Sequence, residues 1–288
     1  MLIRRVPEKN KWAHEGKWMK DAANSHELRG KTLGIIGYGN IGSQVSVLAE
    51  AMGMRVIFYD VQNKLPLGNA SAADSLSTVL QAADIVTLHV PANSQTENLI
   101  NTETLQHCRQ GTLLINYARG EVVDVDAMKS AMESGTLGGV AMDVYRDEPL
   151  KNGDPFACAL RNVPNVLLTP HIGGSTEEAQ ANIGLDVSNK LVQYIETGAT
   201  SGSHTVPDMA LPILENTHRI LHIHKNIPGV LSAINAVLSE NGINILGQFL
   251  KTNQEIGYVV LDINQEVSKN AAELLSKVNG AIKVRLLY

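Results

Sequence analysis

From residue 32 to about residue 176 the chain alternates between short, nearly continuous apolar runs and stretches whose apolar residues recur at helical spacing. The runs are TLGIIG (32–37), RVIFYD (55–60), DIVTLHV (84–90), GTLLINYA (111–118), GGVAMDVY (138–145) and NVLLTPH (165–171). Runs without polar alternation suit strands covered on both faces of a parallel sheet. Between them, IGSQVSVLAEAMG (41–53) and DVDAMKSAMESG (124–135) carry a helical stripe. This rhythm predicts a doubly wound parallel sheet, an α/β domain over residues 30–176.

The pattern changes after residue 176. Residues 177–196 read as a helix, with Ile183, Val187, Leu191 and Ile195 on one apolar stripe. TGATSGSHTVPD (197–208) is small, polar and turn-rich, as a linker is. Then come a strand (219–226), a helix (228–242), two strands (243–253 and 256–266), a helix (268–280) and a last strand (282–288). The order βαββαβ is the ferredoxin-like plan. The chain therefore divides into a polar first segment (1–29), an α/β domain (30–176), a returning helix and linker (177–212), and a small α+β domain (213–288).

Composition narrows the function classes. The 288 residues are 44% hydrophobic and 18% charged, with a net charge of −5. That balance argues against nucleic acid as main partner, because phosphate binding wants a basic face. No apolar run approaches the roughly 18 residues of a membrane span, and the first residues lack the apolar core of a signal peptide. Cys108 and Cys158 form no CxxC and read as reduced thiols, with no metal site. A cytoplasmic protein is expected, with neither nucleic acid nor membrane as partner.

The sharpest chemistry is Gly37-Tyr38-Gly39-Asn40-Ile41-Gly42, a GxGxxG between a strand and a helix. Asp60 ends the next strand, 18 residues after Gly42. In that context the pattern is a dinucleotide fingerprint of Rossmann type. Gly37 permits the turn, Gly39 lets backbone approach the pyrophosphate, and Gly42 lets helix and strand pack closely. The helix N-terminus offers N–H groups to phosphate. Asp60 would bind the ribose hydroxyls and repel a 2′-phosphate, which favours NAD. Three further stretches each follow a predicted strand: Asn116–Gly120, Asp143–Pro149 and Thr169–Gly174. Ligands of open α/β sheets bind beyond the carboxyl ends of the strands, so all three belong on the cofactor's edge.

GIIGYGNIG, FYD, NKLPLGNA, INYARGEVVD, DVYRDEP, LLTPHIGGSTEEAQ and HIHKNIPGVL together resemble the D-isomer-specific 2-hydroxyacid dehydrogenases over essentially the whole chain. The resemblance implies His171 as acid/base, Glu148 as its carboxylate partner and Arg119 as anchor for the substrate carboxylate. It implies NAD contacts from Gly37, Gly39, Asn40, Ile41, Gly42, Asp60, Tyr117, Ala118, Arg119, Asp143, His171, Ile172, Gly173 and Gly174. Tyr117 departs from the family, where a smaller residue is expected. The chemistry suits these roles: oxidising a secondary alcohol needs a base for the hydroxyl proton, and an imidazole near neutrality serves. A bidentate arginine holds a carboxylate.

The last 70 or so residues resemble an ACT domain, a small regulatory fold that binds amino acids. The branch of the family carrying this module oxidises 3-phosphoglycerate at the first step of phosphorylated serine biosynthesis. The resemblance therefore implies L-serine as effector, held by His224, Asn226 and Asn244 as convergent donors and acceptors. ACT domains pair through their sheets, so a homo-oligomer with the effector at the seam between chains is expected. The family's substrate lobe is built mainly from a segment preceding the cofactor domain, and residues 1–18 align only with its end. The chain is thus expected to lack most of that lobe, to leave the 177–196 stripe partly exposed, and to turn over poorly. Two other readings stay open: a chain that binds NAD and serine without catalysis, and a corepressor-like NAD sensor. Arg119, Glu148 and His171 together favour the enzyme over the sensor.

Overall fold

The computed structural model describes residues 1–203, 205–212 and 217–288. It contains two compact units, Met1–Thr176 and Glu177–Tyr288. The first is built on seven strands: β1 (Thr32–Ile36), β2 (Arg55–Tyr59), β3 (Ser71–Ala72), β4 (Ile85–Leu88), β5 (Thr112–Asn116), β6 (Leu137–Met142) and β7 (Val166–Leu168). They pair in parallel in the order β3-β2-β1-β4-β5-β6-β7. The order reverses between β1 and β4, which makes the crevice beyond those strand ends the expected ligand position. Every residue of β1 is buried. β7 is a three-residue edge strand and only partly buried, because it has a neighbour on one side alone.

Helices cover both faces. Ile35, Val56 and Phe58 pack on one side with α2 (Asn40–Ala51). Leu80 of α3 (Leu76–Ala82), Leu105 of α4 (Thr102–Leu105) and Met128 of α5 (Val125–Glu133) pack on the other. Ser75, Asn101 and Asp124 cap the last three of these helices by accepting backbone N–H groups, as short polar residues do at helix starts. The first residues lie on this unit too. Leu2 is buried, Ile3 joins the α2-side core, and Glu8 of α1 (Val6–His14) accepts the Asn165 N–H at 2.6 Å.

The second unit has an antiparallel sheet of β8 (His218–Lys225), β9 (Ile245–Thr252), β10 (Ile256–Ile263) and β11 (Ala281–Leu287), in the order β11-β8-β10-β9. One face carries α7 (Val230–Glu240) and α8 (Ser268–Ser276) over Ile220, Val259 and Leu261. The other carries α6 (Glu177–Thr197), through Tyr194, and the following segment, through Met209, over Leu221, Tyr258 and Val260. The core side chains of the two central strands, β8 and β10, are apolar on both faces because both faces are covered. The Arg219–Asp262 pair is buried in this unit, and Arg219 also donates to the Thr197 and Pro212 carbonyls. Ile183, Val187, Leu191 and Ile195 of α6 are each about half exposed. Among the described residues no helix is long and apolar enough to cross a membrane.

Candidate active site

The glycines after β1 make a cradle. Gly37 has φ +91°, and a Cβ there would lie 2.5 Å from the His89 carbonyl oxygen. A Cβ on Gly42 would meet the Gly37 oxygen at 2.1 Å, so only glycine lets α2 start this close to β1. A Cβ on Gly39 would face open space. No side chain caps α2, and Asn40 and Ile41 are exposed at its start. An uncapped helix N-terminus leaves N–H groups for an anion. Asp60 stands beside it. Its Oδ2 accepts the Tyr38 N–H and its Oδ1 the Gln62 N–H, both at 2.8 Å. A carboxylate has about four acceptor positions, so capacity for a ribose diol remains. Open glycine, uncapped helix and adjacent acid fit a dinucleotide.

The loops after β5, β6 and β7 lie on the same edge of the sheet. Buried Asn116 ends β5 and shapes its loop, accepting the Ala118 N–H and donating to the Arg119 carbonyl. That presents Arg119 as an exposed side chain, whose Nη1 donates to the Ala118 carbonyl at 2.6 Å. Tyr117 is also exposed, and its bulk costs the fold nothing. A Cβ on Gly120 would lie 2.1 Å from the Tyr145 carbonyl carbon, so this glycine brings the Arg119 loop against the Glu148 loop.

His171 and Glu148 meet. Nδ1 of His171 lies 2.8 Å from Oε2 of Glu148, and Oε1 accepts the Tyr145 N–H at 3.0 Å. Partial burial pushes the Glu148 carboxyl up; the bonds from His171 and Tyr145 outweigh it and hold the group below the ordinary glutamate value. An ionised carboxylate only accepts, so Nδ1 carries a proton, and in the neutral imidazole Nε2 is then the nitrogen with the lone pair. His171 has φ +53°, a left-handed conformation unusual for a side chain with a Cβ. Asp143 is buried and accepts the Thr169 hydroxyl, the Ile172 N–H at 2.9 Å and the Gly173 N–H at 2.7 Å. Ile172 is half exposed, and a Cβ on Gly174 would face open space. Asp143, which the sequence suggested as a cofactor contact, also ties down the His171 turn through these bonds.

A cavity of about 320 Å³ adjoins His171 and Glu148. A larger cleft, about 620 Å³, opens among Lys31, Asp84 and Arg109 at the opposite edge of the sheet and touches none of these residues. Chemistry decides between them, and volume does not. Among the described residues no group of three or more His, Cys, Asp or Glu is placed to hold a metal.

In the second unit His224 and Asn226 stand at one end of the sheet. The His224 imidazole lies against Gly257, where a Cβ would be 2.2 Å from Nε2. Its Nδ1, like that of His222, is buried without a hydrogen-bond partner. Burial lowers the pKa of both rings. Asn226 donates to the Asn253 carbonyl at 2.7 Å. Asn244 is exposed at the start of β9, beside the Ile245–Ile263 pair, whereas His224 pairs with Gly257. Six strand positions separate the two places, about 20 Å. Within a single chain the three residues therefore do not converge. β9 is parallel to β8 with β10 between them, so the start of β9 falls at the far end of the sheet.

Sequence reasoning missed Asn116, Tyr145 and Thr169 as site-shaping residues. Asn116 acts within its own loop, whereas Tyr145 and Thr169 find side-chain partners across neighbouring strand ends.

The chain matches the family model described as D-isomer specific 2-hydroxyacid dehydrogenase, NAD binding domain, over residues 1–173. It matches an AHAS small subunit-like ACT domain over residues 220–283. It is 49% identical over 290 residues to D-3-phosphoglycerate dehydrogenase of Escherichia coli strain K12, covering all of this chain and 70% of the relative. It is 48% identical to D-3-phosphoglycerate dehydrogenase of Dictyostelium discoideum, again over all of this chain and 70% of the relative. Among solved structures it resembles a D-lactate dehydrogenase from Aquifex aeolicus complexed with NAD and lactic acid. That match has a TM-score of 0.60 and 30% identity, over 67% of this chain and 62% of that one. A glyoxylate reductase from Paecilomyes thermophila gives a TM-score of 0.61 and 34% identity, over 68% of this chain and 59% of that one. The chain is a member of the D-isomer-specific 2-hydroxyacid dehydrogenases, with NAD as cofactor and a C-terminal ACT domain.

Proposed function

We propose that the chain carries out NAD-dependent oxidation of 3-phosphoglycerate to 3-phosphohydroxypyruvate in the cytoplasm, with L-serine as effector at the ACT domain. The observation that carries this reading is the His171–Glu148 pair on the carboxyl edge of the dinucleotide-binding sheet. Bound NAD supplies the hydride acceptor. His171 takes the hydroxyl proton at Nε2, the acceptor nitrogen in the neutral tautomer that the bond to Glu148 selects. Glu148 fixes that tautomer and stabilises the imidazolium that forms, as a carboxylate does for other catalytic histidines. Arg119 grips the substrate carboxylate and polarises the oxygen at C2. Gly37, Gly39, Asn40, Ile41 and Gly42 hold the diphosphate, and Asp60 the adenosine ribose. Tyr117, Ala118, Ile172, Gly173 and Gly174 border the nicotinamide.

For the effector, His224 and Asn226 of one copy and Asn244 of a second form the serine site. The separation of about 20 Å along one sheet supports a site divided between copies. Of the two edge strands, β9 follows Asn244 directly, and among the described residues its outer backbone groups have no strand partner, which makes it the place where two sheets would join. The test is absorbance of NADH with 3-phosphoglycerate, with and without serine, beside calorimetric titration of NAD and of serine. NADH formation that serine suppresses supports the reading. Binding of both ligands without turnover would replace it with the non-catalytic one.

A further inference from the structure

We propose that the Tyr145 hydroxyl is a positioning group for the acid/base histidine: by holding the Thr169 carbonyl it fixes the left-handed turn at His171 against Glu148. The inference rests on the reading of His171 as the base and adds a residue to that site.

The need for such a group comes from β7. The loop bearing His171 leaves a three-residue edge strand that is only partly buried. Little backbone pairing therefore fixes its direction. Two residues past the strand's last hydrogen bond to β6, the chain takes φ +53° at His171. For a residue with a Cβ this is a strained conformation, so something must hold it.

The turn is pinned on both flanks. After the histidine, Asp143 takes the Ile172 and Gly173 N–H groups. Before it, the Tyr145 hydroxyl donates to the Thr169 carbonyl at 2.9 Å, with a longer contact to the Met142 carbonyl at 3.2 Å. The same residue holds the other half of the pair, because the Tyr145 N–H donates to Oε1 of Glu148. Glu148 hangs from the β6 loop and His171 from the β7 loop. Tyr145 is thus bonded to both arms, one through its backbone and one through its side chain. Positioning errors near 1 Å in a reacting group cost up to about a hundredfold in rate.

The hydroxyl is suited to that task. The residue is buried, and burial pushes the phenol's pKa up, so it stays a neutral donor throughout the working range. The ring makes its own contact, an edge-on packing with Phe156 at 4.6 Å between centroids. Packing therefore needs the ring, while the bond to Thr169 needs the oxygen. The plain alternative is that a buried tyrosine has merely found an acceptor, as buried tyrosines do.

Tyr145→Phe in the full chain separates the two. Wild type should show a downfield proton resonance from the His171 Nδ1–H···Glu148 bond in the absence of cofactor, assigned by its loss in His171→Gln. In Tyr145→Phe that resonance should broaden or vanish. kcat should fall about tenfold while the substrate KM and NAD affinity stay within about twofold. An unchanged resonance with kcat within about twofold makes the hydroxyl a satisfied bystander and overturns the proposal. Failure to fold, or loss of NAD binding, makes the bond a general structural one and overturns it equally. If wild type gives no turnover but its resonance still depends on Tyr145, the positioning claim stands and the dehydrogenase reading fails.

Discussion

The most consequential single contact is the 2.8 Å bond between His171 and Glu148. It sets which imidazole nitrogen acts. Glu148→Gln keeps the size but removes the charge that stabilises the imidazolium. Turnover should fall on the order of 10²–10⁴-fold with NAD affinity little changed. The variant also has a signature in stability. The folded carboxyl sits below its ordinary value, so it binds a proton more weakly than in the unfolded chain. The unfolded state then binds more protons, and stability rises with pH through that range. The contribution is present above the unfolded value and is lost as pH falls through the lowered one. Urea titrations of wild type and Glu148→Gln should therefore differ at neutral pH and converge in acid; a constant gap would remove the charge from the account. Spacing alone placed His171, Glu148 and Arg119 after three strand runs, and the family resemblance supplied their expected roles. Tyr145 was not legible in this way. Its side-chain partner, Thr169, is set by which strand ends lie side by side, and spacing along one chain does not carry that.

At the scale of elements, the β-α rhythm was legible because buried strands are continuous apolar runs. The two-residue β3 and the one-turn α4 escaped, being too short to show a period. α2 depends on one atom's absence. Gly42→Ala would put a Cβ 2.1 Å from the Gly37 oxygen, and backbone cannot swing aside as a side chain does. A loss of NAD affinity greater than about tenfold is expected by fluorescence titration, because α2 must shift away from the cradle. Undiminished binding would mean the helix start is not the phosphate site. In the second unit His222 is an apolar position filled by a polar ring. Its Nε2 donates to the Leu275 carbonyl at 3.2 Å, and that carbonyl also accepts the Val278 N–H. Burial lowers its pKa, so the folded ring resists a proton that the unfolded ring accepts near pH 6.5. Stability should fall as pH drops below that unfolded value. His222→Leu removes the buried unpaired nitrogen and should lessen the fall in melting temperature between pH 7 and pH 5. An equal fall in both proteins would place the acid sensitivity elsewhere.

The whole molecule joins a dinucleotide sheet to a ferredoxin-like one, and both were legible from periodicity and order. What periodicity did not convey was the distribution of the effector residues. His224, Asn226 and Asn244 look like one cluster when judged by residue type, and the sheet separates them. If two copies complete the site, Asn226→Ala and Asn244→Ala chains should each bind serine poorly alone. A mixture should regain up to about a quarter of the sites by random pairing, measurable by calorimetry; no recovery on mixing would put all three residues in one copy's site or none.

The central claim is that His171 handles the proton on the carboxyl edge of the NAD sheet. It is tested most directly by NADH formation from 3-phosphoglycerate in wild type and His171→Ala, with NAD affinity measured on the same samples. The expected result is a loss on the order of 10²–10⁴-fold in turnover at unchanged NAD affinity. A loss of only a few-fold, with NAD bound equally well, would contradict it and return His171 to a residue that merely ends a strand.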